Sequence, residues 1–174
     1  MAEDKALALW LVPGGAPAAR LRELIAALAR ETGGPAFAPH LTLVSGLRGD
    51  GAALAARLGE LEGALHPVEL RACGPAVGAS RHQCVFLDVA LTEPLAALRR
   101  AALAALGAGE RPFRPHVSLV YGDLPEDRRR SLAADPRVLS LGHDRWWAER
   151  LELWTVDGPT ERWRRVEGVA LTRP

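Results

Sequence analysis

A ten-residue pattern with one histidine and one hydroxyl residue occurs twice in this chain. The first copy covers residues 37–46, FAPHLTLVSG, and the second covers residues 113–122, FRPHVSLVYG. Because side chains alternate between the two faces of a strand, His40 and Thr42 are predicted to project from one face, as are His116 and Ser118. Two such strands side by side would bring two imidazoles and two hydroxyls into one site.

A pair of histidines suits acid–base catalysis near neutral pH, because the unperturbed pKa of imidazole is about 6.5. One neutral ring can take a proton from an attacking water while the other, protonated, gives a proton to the leaving oxygen. Thr42 and Ser118 would donate hydrogen bonds to oxygens on which negative charge develops. This combination favours phosphoryl chemistry, and neither motif has the nearby carboxylate that an acyl-transfer triad uses. The residues leave open which histidine is the base.

No metal or cofactor is expected from these motifs. Neither copy carries a second histidine or a carboxylate, and hydroxyls are poor zinc ligands. The three histidines outside the motifs, which repeat in no pattern, are expected on the surface or in loops: His66, His82 and His143. The predicted reaction is therefore independent of metal.

Hydrophobic patterning places each motif in an equivalent series of elements: strand, helix, motif strand, helix, strand. The predicted strands and helices, in chain order, are 6–12, 17–31, 37–45, 52–61, 67–72, 83–91, 94–106, 113–121, 125–133, 148–156 and 163–171. The 76-residue offset between His40 and His116 also aligns Trp10 with Phe86. We therefore predict an internal duplication within one bilobal catalytic domain over residues 1–174, with a motif strand from each lobe facing a shared cleft.

Charge and hydropathy narrow the possible partners. The 22 basic and 21 acidic side chains nearly cancel, so no general affinity for duplex DNA is expected. No apolar run approaches the roughly 20 residues that span a bilayer, and the acidic start at residues 1–5 does not resemble a secretory signal. The expectation is a cytoplasmic monomer that binds a small nucleotide, with an RNA end as a possible further substrate.

The tetrapeptides His40–Leu43 and His116–Leu119 resemble the paired motifs that name the 2H phosphoesterase superfamily, in particular its cyclic phosphodiesterases. The likeness extends to Trp10 in the strand LWLVP, to the run QCVFL at 83–87 and to Tyr121. It implies a bilobal α+β fold, with two antiparallel sheets and outer helices related by a pseudo-two-fold around a central cleft.

The resemblance also implies an activity. It is hydrolysis of ADP-ribose 1″,2″-cyclic phosphate or nucleoside 2′,3′-cyclic phosphate, leaving a 1″- or 2′-phosphate. It further implies that Trp10 contacts the base or ribose and that Tyr121 assists at the phosphate. Tyr121 lies an odd number of residues from His116, so it faces the site only if the strand ends or bulges after Leu119.

Two other functions stay open. One is an RNA 2′-5′ ligase-like or RNA-end phosphodiesterase of the same superfamily. The other is a nucleotide-binding module without catalysis, in which the histidines serve only as phosphate ligands.

Overall fold

A computed structural model describes residues 5–172; the remaining ends of the predicted domain, residues 1–4 and 173–174, lie outside the described part. The first half contains β1 (Lys5–Pro13), α1 (Gly15–Thr32), β2 (Leu41–Gly49), α2 (Gly51–Gly59) and β3 (Val68–Val77). The second half contains β4 (Val85–Val89), α3 (Glu93–Leu106), β5 (His116–Val120), α4 (Glu126–Ala133), α5 (Pro136–Leu139), β6 (Arg145–Thr155) and β7 (Arg164–Ala170). The predicted α+β class is confirmed.

Helix α5 is an addition to the predicted elements. The sequence predicts a stop at Asp135 and Pro136, but the same two residues begin a new helical turn. The Asp135 carboxylate accepts a hydrogen bond of 2.8 Å from the backbone N–H of Arg137, and Pro136 occupies the first helical position, where its missing N–H costs nothing.

The strands form one continuous antiparallel sheet rather than the two separate sheets that were predicted. Their order is β1-β2-β5-β4-β3-β6-β7, and β6 also pairs with β1, which closes six of them into a ring. Two of the pairings between strands of the first and the second half differ in extent. Strands β2 and β5 pair only through Leu41 and Val117, whereas β3 and β6 pair over the run Val68–Arg71.

Both motif strands carry an irregularity at the same place. Pairing of β2 with β1 skips Leu43, and pairing of β5 with β4 skips Leu119, which is the residue 76 positions later. A skipped residue of this kind is a β-bulge, which changes the face to which the following side chains point. In the second motif the bulge, together with the end of β5 at Val120, brings Tyr121 to the side of Ser118, so the conflict with strand alternation disappears.

The helices cover the face of the sheet opposite the motif side chains. In α1 the apolar residues recur at helical spacing and are all buried: Leu21, Leu24, Ile25 and Leu28. Leu41 and Val117, which alternate with the motif histidines and hydroxyls, are both 0% exposed and belong to the same core. Between residues 5 and 172, no helix combines the length and apolar character needed to cross a membrane.

Candidate active site

The polar face of the two motif strands forms the floor of a cleft of about 590 Å³. Each of the six predicted site residues lines it: Trp10, His40, Thr42, His116, Ser118 and Tyr121. The other lining residues are Ala8, Ser45, Ser80, His82, Gln83, Pro112, Phe113, Arg114, Val156 and Trp163. No carboxylate is among these described lining residues, so the lining carries no fixed negative charge.

The register between the two motif strands sets the histidine of one copy opposite the hydroxyl residue of the other copy. Leu41 pairs with Val117 in antiparallel orientation. One position to either side, His40 therefore faces Ser118, and Thr42 faces His116. Each histidine thus lies opposite the hydroxyl of the other motif rather than its own.

Both histidines are held in the same tautomer by the backbone. His40 Nδ1 lies 2.7 Å from the carbonyl oxygen of Ala38, and His116 Nδ1 lies 2.8 Å from that of Arg114. A carbonyl oxygen can only accept, so Nδ1 carries the proton and donates in each ring. The neutral form of either histidine therefore presents the Nε2 lone pair to the cleft.

His40 is the more deeply set of the two. The residue is 4% exposed, and its ring stacks on Trp10 with centroids 3.6 Å apart. Burial lowers the pKa of His40 to about 4, against the opposing effect of the Ala38 carbonyl, and the charge on His116 lowers it further. At neutral pH this side chain is therefore a neutral base.

Trp10 serves chiefly as the support for that ring. It is 3% exposed and also stacks on Trp154, with centroids 4.4 Å apart. Trp10 pairs with Thr42 across β1 and β2, and at the equivalent repeat position Phe86 pairs with Ser118. Only a narrow part of the indole is left for contact with a ligand.

His116 has a more open setting. It is half-buried, and the ring of Phe86 meets it edge-on at 5.1 Å between centroids. Gln83, for which the sequence offered no physical role, places its Nε2 3.5 Å from His116 Nε2. A proton on this ring can exchange with solvent in the cleft.

Ser118 and Tyr121 link the second motif to its surroundings. The Ser118 hydroxyl donates to the carbonyl oxygen of His82 at 3.0 Å, which holds the 3₁₀ turn Arg81–Gln83 over the end of β5. The Tyr121 hydroxyl lies 3.3 Å from His40 Nε2. Burial raises the pKa of Tyr121, so its hydroxyl stays protonated and donates to the imidazole lone pair.

Removing that hydroxyl tests the acid–base role predicted for His40. Tyr121→Phe keeps the ring that stacks on Phe37 at 3.8 Å but deletes the donor to His40. A net hydrogen bond contributes about 0.5–1.5 kcal/mol, so kcat is expected to fall about 2- to 10-fold. Steady-state kinetics measures the change, and an unaltered kcat would mean that the hydroxyl takes no part in the reaction.

Arg99 of α3 reinforces the weak seam between the motif strands. This buried side chain donates to the carbonyl oxygen of Leu43 in β2 at 3.3 Å and to that of Arg111 at 3.1 Å. It also pairs with Glu110, and its guanidinium lies 4.5 Å above the centre of the Phe113 ring. Arg99 therefore connects β2 to the segment that leads into β5, where the direct strand pairing is a single residue pair.

Arg99→Met is expected to lower the free energy of unfolding by about 1–3 kcal/mol, because buried carbonyls lose their donor. The matched control is Arg100→Met on the same helix, which removes only an exposed ion pair with Glu93 and should cost about 0–1 kcal/mol. Urea denaturation of both variants measures the difference. Equal destabilisation by the two variants would contradict this role for Arg99.

Two cleft residues escaped prediction because they come from turns. His82 lies in a loop as expected, but the Ser118 hydrogen bond places that loop at the cleft wall. Trp163 follows a 3₁₀ turn, and its ring centroid lies 5.4 Å from that of His82 and 6.0 Å from that of Tyr121. Its indole N–H donates to the Gly158 carbonyl oxygen at 3.2 Å. Nothing in the local sequence around either residue indicates these contacts.

The described residues offer no evident metal centre. Across positions 5–172, no group of three or more His, Cys, Asp or Glu side chains is arranged to hold a metal ion.

The fold and the paired His-x-Thr/Ser motifs define the class as a 2H phosphoesterase. The family model of the 2′-5′ RNA ligase superfamily matches residues 13–160, and the chain belongs to that superfamily. This confirms the resemblance read from the motifs at the level of the superfamily.

Solved structures share the fold. E. coli LigT in its apo form is 19% identical with a TM-score of 0.66, over 99% of this chain and 100% of that one. A protein described as a phosphoesterase is 18% identical with a TM-score of 0.65, over 98% and 100%. TT0787 of Thermus thermophilus is 21% identical with a TM-score of 0.64, over 95% and 97%. At these identities the likeness shows the fold alone, and no curated protein matches the chain in sequence.

Proposed function

We propose that this protein hydrolyses a cyclic phosphodiester to a phosphomonoester without a metal ion. The substrate is a nucleoside 2′,3′-cyclic phosphate or ADP-ribose 1″,2″-cyclic phosphate, and the product keeps its phosphate on the 2′ or 1″ oxygen. The observation that carries the proposal is the crossed placement of His40 and His116, each with Nε2 toward the cleft and a hydroxyl of the other motif opposite. E. coli LigT, which shares the fold, has been crystallised with 3′-AMP, ATP, NADP+ and phosphate, which supports a nucleotide as ligand.

The proposed reaction uses His40 in its neutral form and His116 in its protonated form. The Tyr121 hydroxyl first gives up its hydrogen bond to His40 Nε2. Neutral His40 then takes a proton from water through Nε2 as the water oxygen attacks phosphorus. The bond that breaks joins phosphorus to the 3′ oxygen, or to the 2″ oxygen in ADP-ribose 1″,2″-cyclic phosphate. Protonated His116 delivers its Nε2 proton to that leaving oxygen. One water is consumed, and the proton gained by His40 returns to His116 through solvent.

The roles of the two histidines are assigned from their settings. His40 is buried with a lowered pKa, which favours the neutral form that a base needs. His116 is half-buried and can regain its proton from solvent, as an acid must after each turnover.

Thr42 and Ser118 are the proposed donors to the two non-bridging oxygens. Such donors stabilise the charge that builds in the transition state when they are already in place. Ser118 at present donates to the His82 carbonyl oxygen, so its hydroxyl must rotate toward the phosphate when substrate binds. The nucleobase of the substrate lies against Trp163 and the accessible edge of Trp10. Tyr121 orients the imidazole of His40.

The direct test is turnover of nucleoside 2′,3′-cyclic monophosphates in the presence of a chelator, with the product identified by phosphorus NMR. We expect the 2′-phosphate as product. A 3′-phosphate would contradict the proposed regiochemistry. Loss of activity on chelation and its recovery with zinc would overturn the metal-free mechanism.

The second candidate is joining or trimming of RNA ends, which the superfamily match favours by its description. An oligonucleotide that ends in a 2′,3′-cyclic phosphate discriminates between the two. If it is turned over orders of magnitude faster than the mononucleotide, the RNA-end activity is the correct one. Tight nucleotide binding without any turnover would instead identify a binding module.

A further inference from the structure

The cleft has two chemically different ends, one on each side of the histidine pair. Tyr121, His82 and Trp163 form an aromatic end beyond Ser118. Because β2 and β5 run antiparallel, Ser45 after Thr42 and Arg114 before His116 lie together at the opposite end. That end carries the only Arg or Lys among the described lining residues.

Arg114 is fixed in place at this end. Its Nε and one terminal nitrogen donate to the Asp88 carboxylate at 2.8 and 2.7 Å, and its guanidinium lies 5.0 Å above the centre of the buried Phe86 ring. The second terminal nitrogen is not used in this pair. The side chain is 62% exposed, so these N–H groups are accessible to a ligand.

Arg111 is the source of the excess positive charge at this end of the cleft. Its guanidinium lies against Gly46, where a Cβ would come within 3.2 Å of a terminal nitrogen. A small recess at Arg111 shares four of its lining residues with the cleft: Thr42, Ser45, Pro112 and Phe113. In the part of the chain from 5 to 172, no carboxylate lies within 4 Å of the Arg111 guanidinium. The adjacent Glu110 is paired with Arg99 and Asp88 is paired with Arg114, which leaves this end with one excess positive charge.

We propose that Arg111 and Arg114 form a subsite for a second phosphate of the substrate, attached at the 5′ side of the ribose that carries the cyclic phosphate. The proposal rests on the proposed function and specifies the substrate class for the same cleft. In a nucleoside 2′,3′-cyclic phosphate that carries this group, C1′ with the base and C4′ with the 5′ carbon lie on opposite sides of the C2′ and C3′ that hold the cyclic phosphate. This order matches the order of the cleft: aromatic end, histidine pair, guanidinium end.

Guanidinium groups fit this ligand because their N–H donors match phosphate oxygens in geometry and charge. Three sources offer the same chemistry: a 5′-monophosphate, the diester of a preceding nucleotide, and the diphosphate of ADP-ribose 1″,2″-cyclic phosphate. Comparison of kcat/KM among these three substrates and the 5′-hydroxyl nucleoside 2′,3′-cyclic phosphate distinguishes the source.

Binding of the reaction products tests the subsite independently of turnover. Calorimetry compares adenosine 2′,5′-bisphosphate with adenosine 2′-phosphate, and we expect the bisphosphate to bind roughly tenfold more tightly. Arg111→Gln together with Arg114→Gln should bring this ratio close to one. Raising the salt from about 0.02 to about 0.3 M should also reduce the ratio in the wild type, because exposed charges are screened. Arg128→Gln, an exposed arginine on α4 outside the cleft, is the matched control and should leave the ratio as it is.

The outcomes separate the two proposals. Equal affinity of the wild type for the two products overturns the subsite, whatever the enzyme turns over. A tenfold ratio that survives the double substitution also overturns it. Failure to hydrolyse any of the four cyclic phosphates overturns the proposed function, while a ratio that depends on Arg111 and Arg114 still supports the subsite.

Discussion

Replacing either His40 or His116 by alanine is expected to lower kcat by about 10²- to 10⁴-fold, the usual contribution of a well-placed acid or base. In the proposed mechanism, His40→Ala removes the lone pair that takes the proton from water, and His116→Ala removes the proton that the leaving oxygen needs. Hydrolysis of a nucleoside 2′,3′-cyclic phosphate under single-turnover conditions measures each loss. The control is His143→Ala, an exposed histidine outside the cleft, which should keep wild-type activity.

The double variant adds a second criterion. Because the two histidines act on the same transition state, their effects should combine to much less than the product of the single losses. Substitution of buried His40 also leaves space beside Trp10, so His40→Gln is the companion variant that preserves more of the packing. If both His40 variants are fully folded and hydrolyse substrate at the wild-type rate, catalysis by the pair is wrong.

Acidification is expected to destabilise the protein by roughly 3 kcal/mol through His40 alone, at about 1.36 kcal/mol per pKa unit. The pKa of His40 is about 4 in the folded protein and about 6.5 when unfolded. Between these values the unfolded chain takes up a proton that the folded chain does not. The contribution of the neutral ring is therefore complete above pH ~6.5, declines as the pH falls and is lost at pH ~4 and below.

Urea denaturation at a series of pH values measures this effect. Other groups also titrate in the same range, so the informative quantity is the difference between the wild type and His40→Gln, which has no ionisable side chain at that position. We expect the free energy of unfolding of the wild type, taken relative to that of His40→Gln, to fall by roughly 3 kcal/mol as the pH is lowered from 7 to about 4. A difference that stays constant with pH would show that His40 titrates normally in the folded protein.

The order of the elements could be predicted because local patterns encode it. Leu21, Leu24, Ile25 and Leu28 mark one face of α1, and the repeated motif marks two strands with their polar residues on one side. An end or a bulge of the strand after Leu119 was indicated only through the family resemblance, which places Tyr121 at the site although strand alternation alone turns it away from the histidines.

The closure of the sheet and the walls of the cleft could not be predicted in this way. Strand β6 pairs with β1, β3 and β7, and no local pattern in Arg145–Thr155 specifies three partners. The positions of His82 and Trp163 depend on contacts between distant residues, such as the hydrogen bond from Ser118 to the His82 carbonyl oxygen. In the sequence, Arg99 does not differ from other helix arginines. Its role follows only from the structure, where the carbonyl oxygens of Leu43 and Arg111 both accept its hydrogen bonds.

The crossed register of His40 and His116 has a stereochemical consequence. His40, the proposed base, and His116, the proposed acid, lie on either side of the Leu41–Val117 pair. If they act from these two sides, water attacks and the 3′ oxygen leaves along one line through phosphorus. A single displacement of this kind inverts the configuration at phosphorus. A chiral cyclic phosphorothioate opened in isotopically labelled water would therefore yield the inverted product, whereas a covalent phosphohistidine intermediate would require two displacements and return the original handedness.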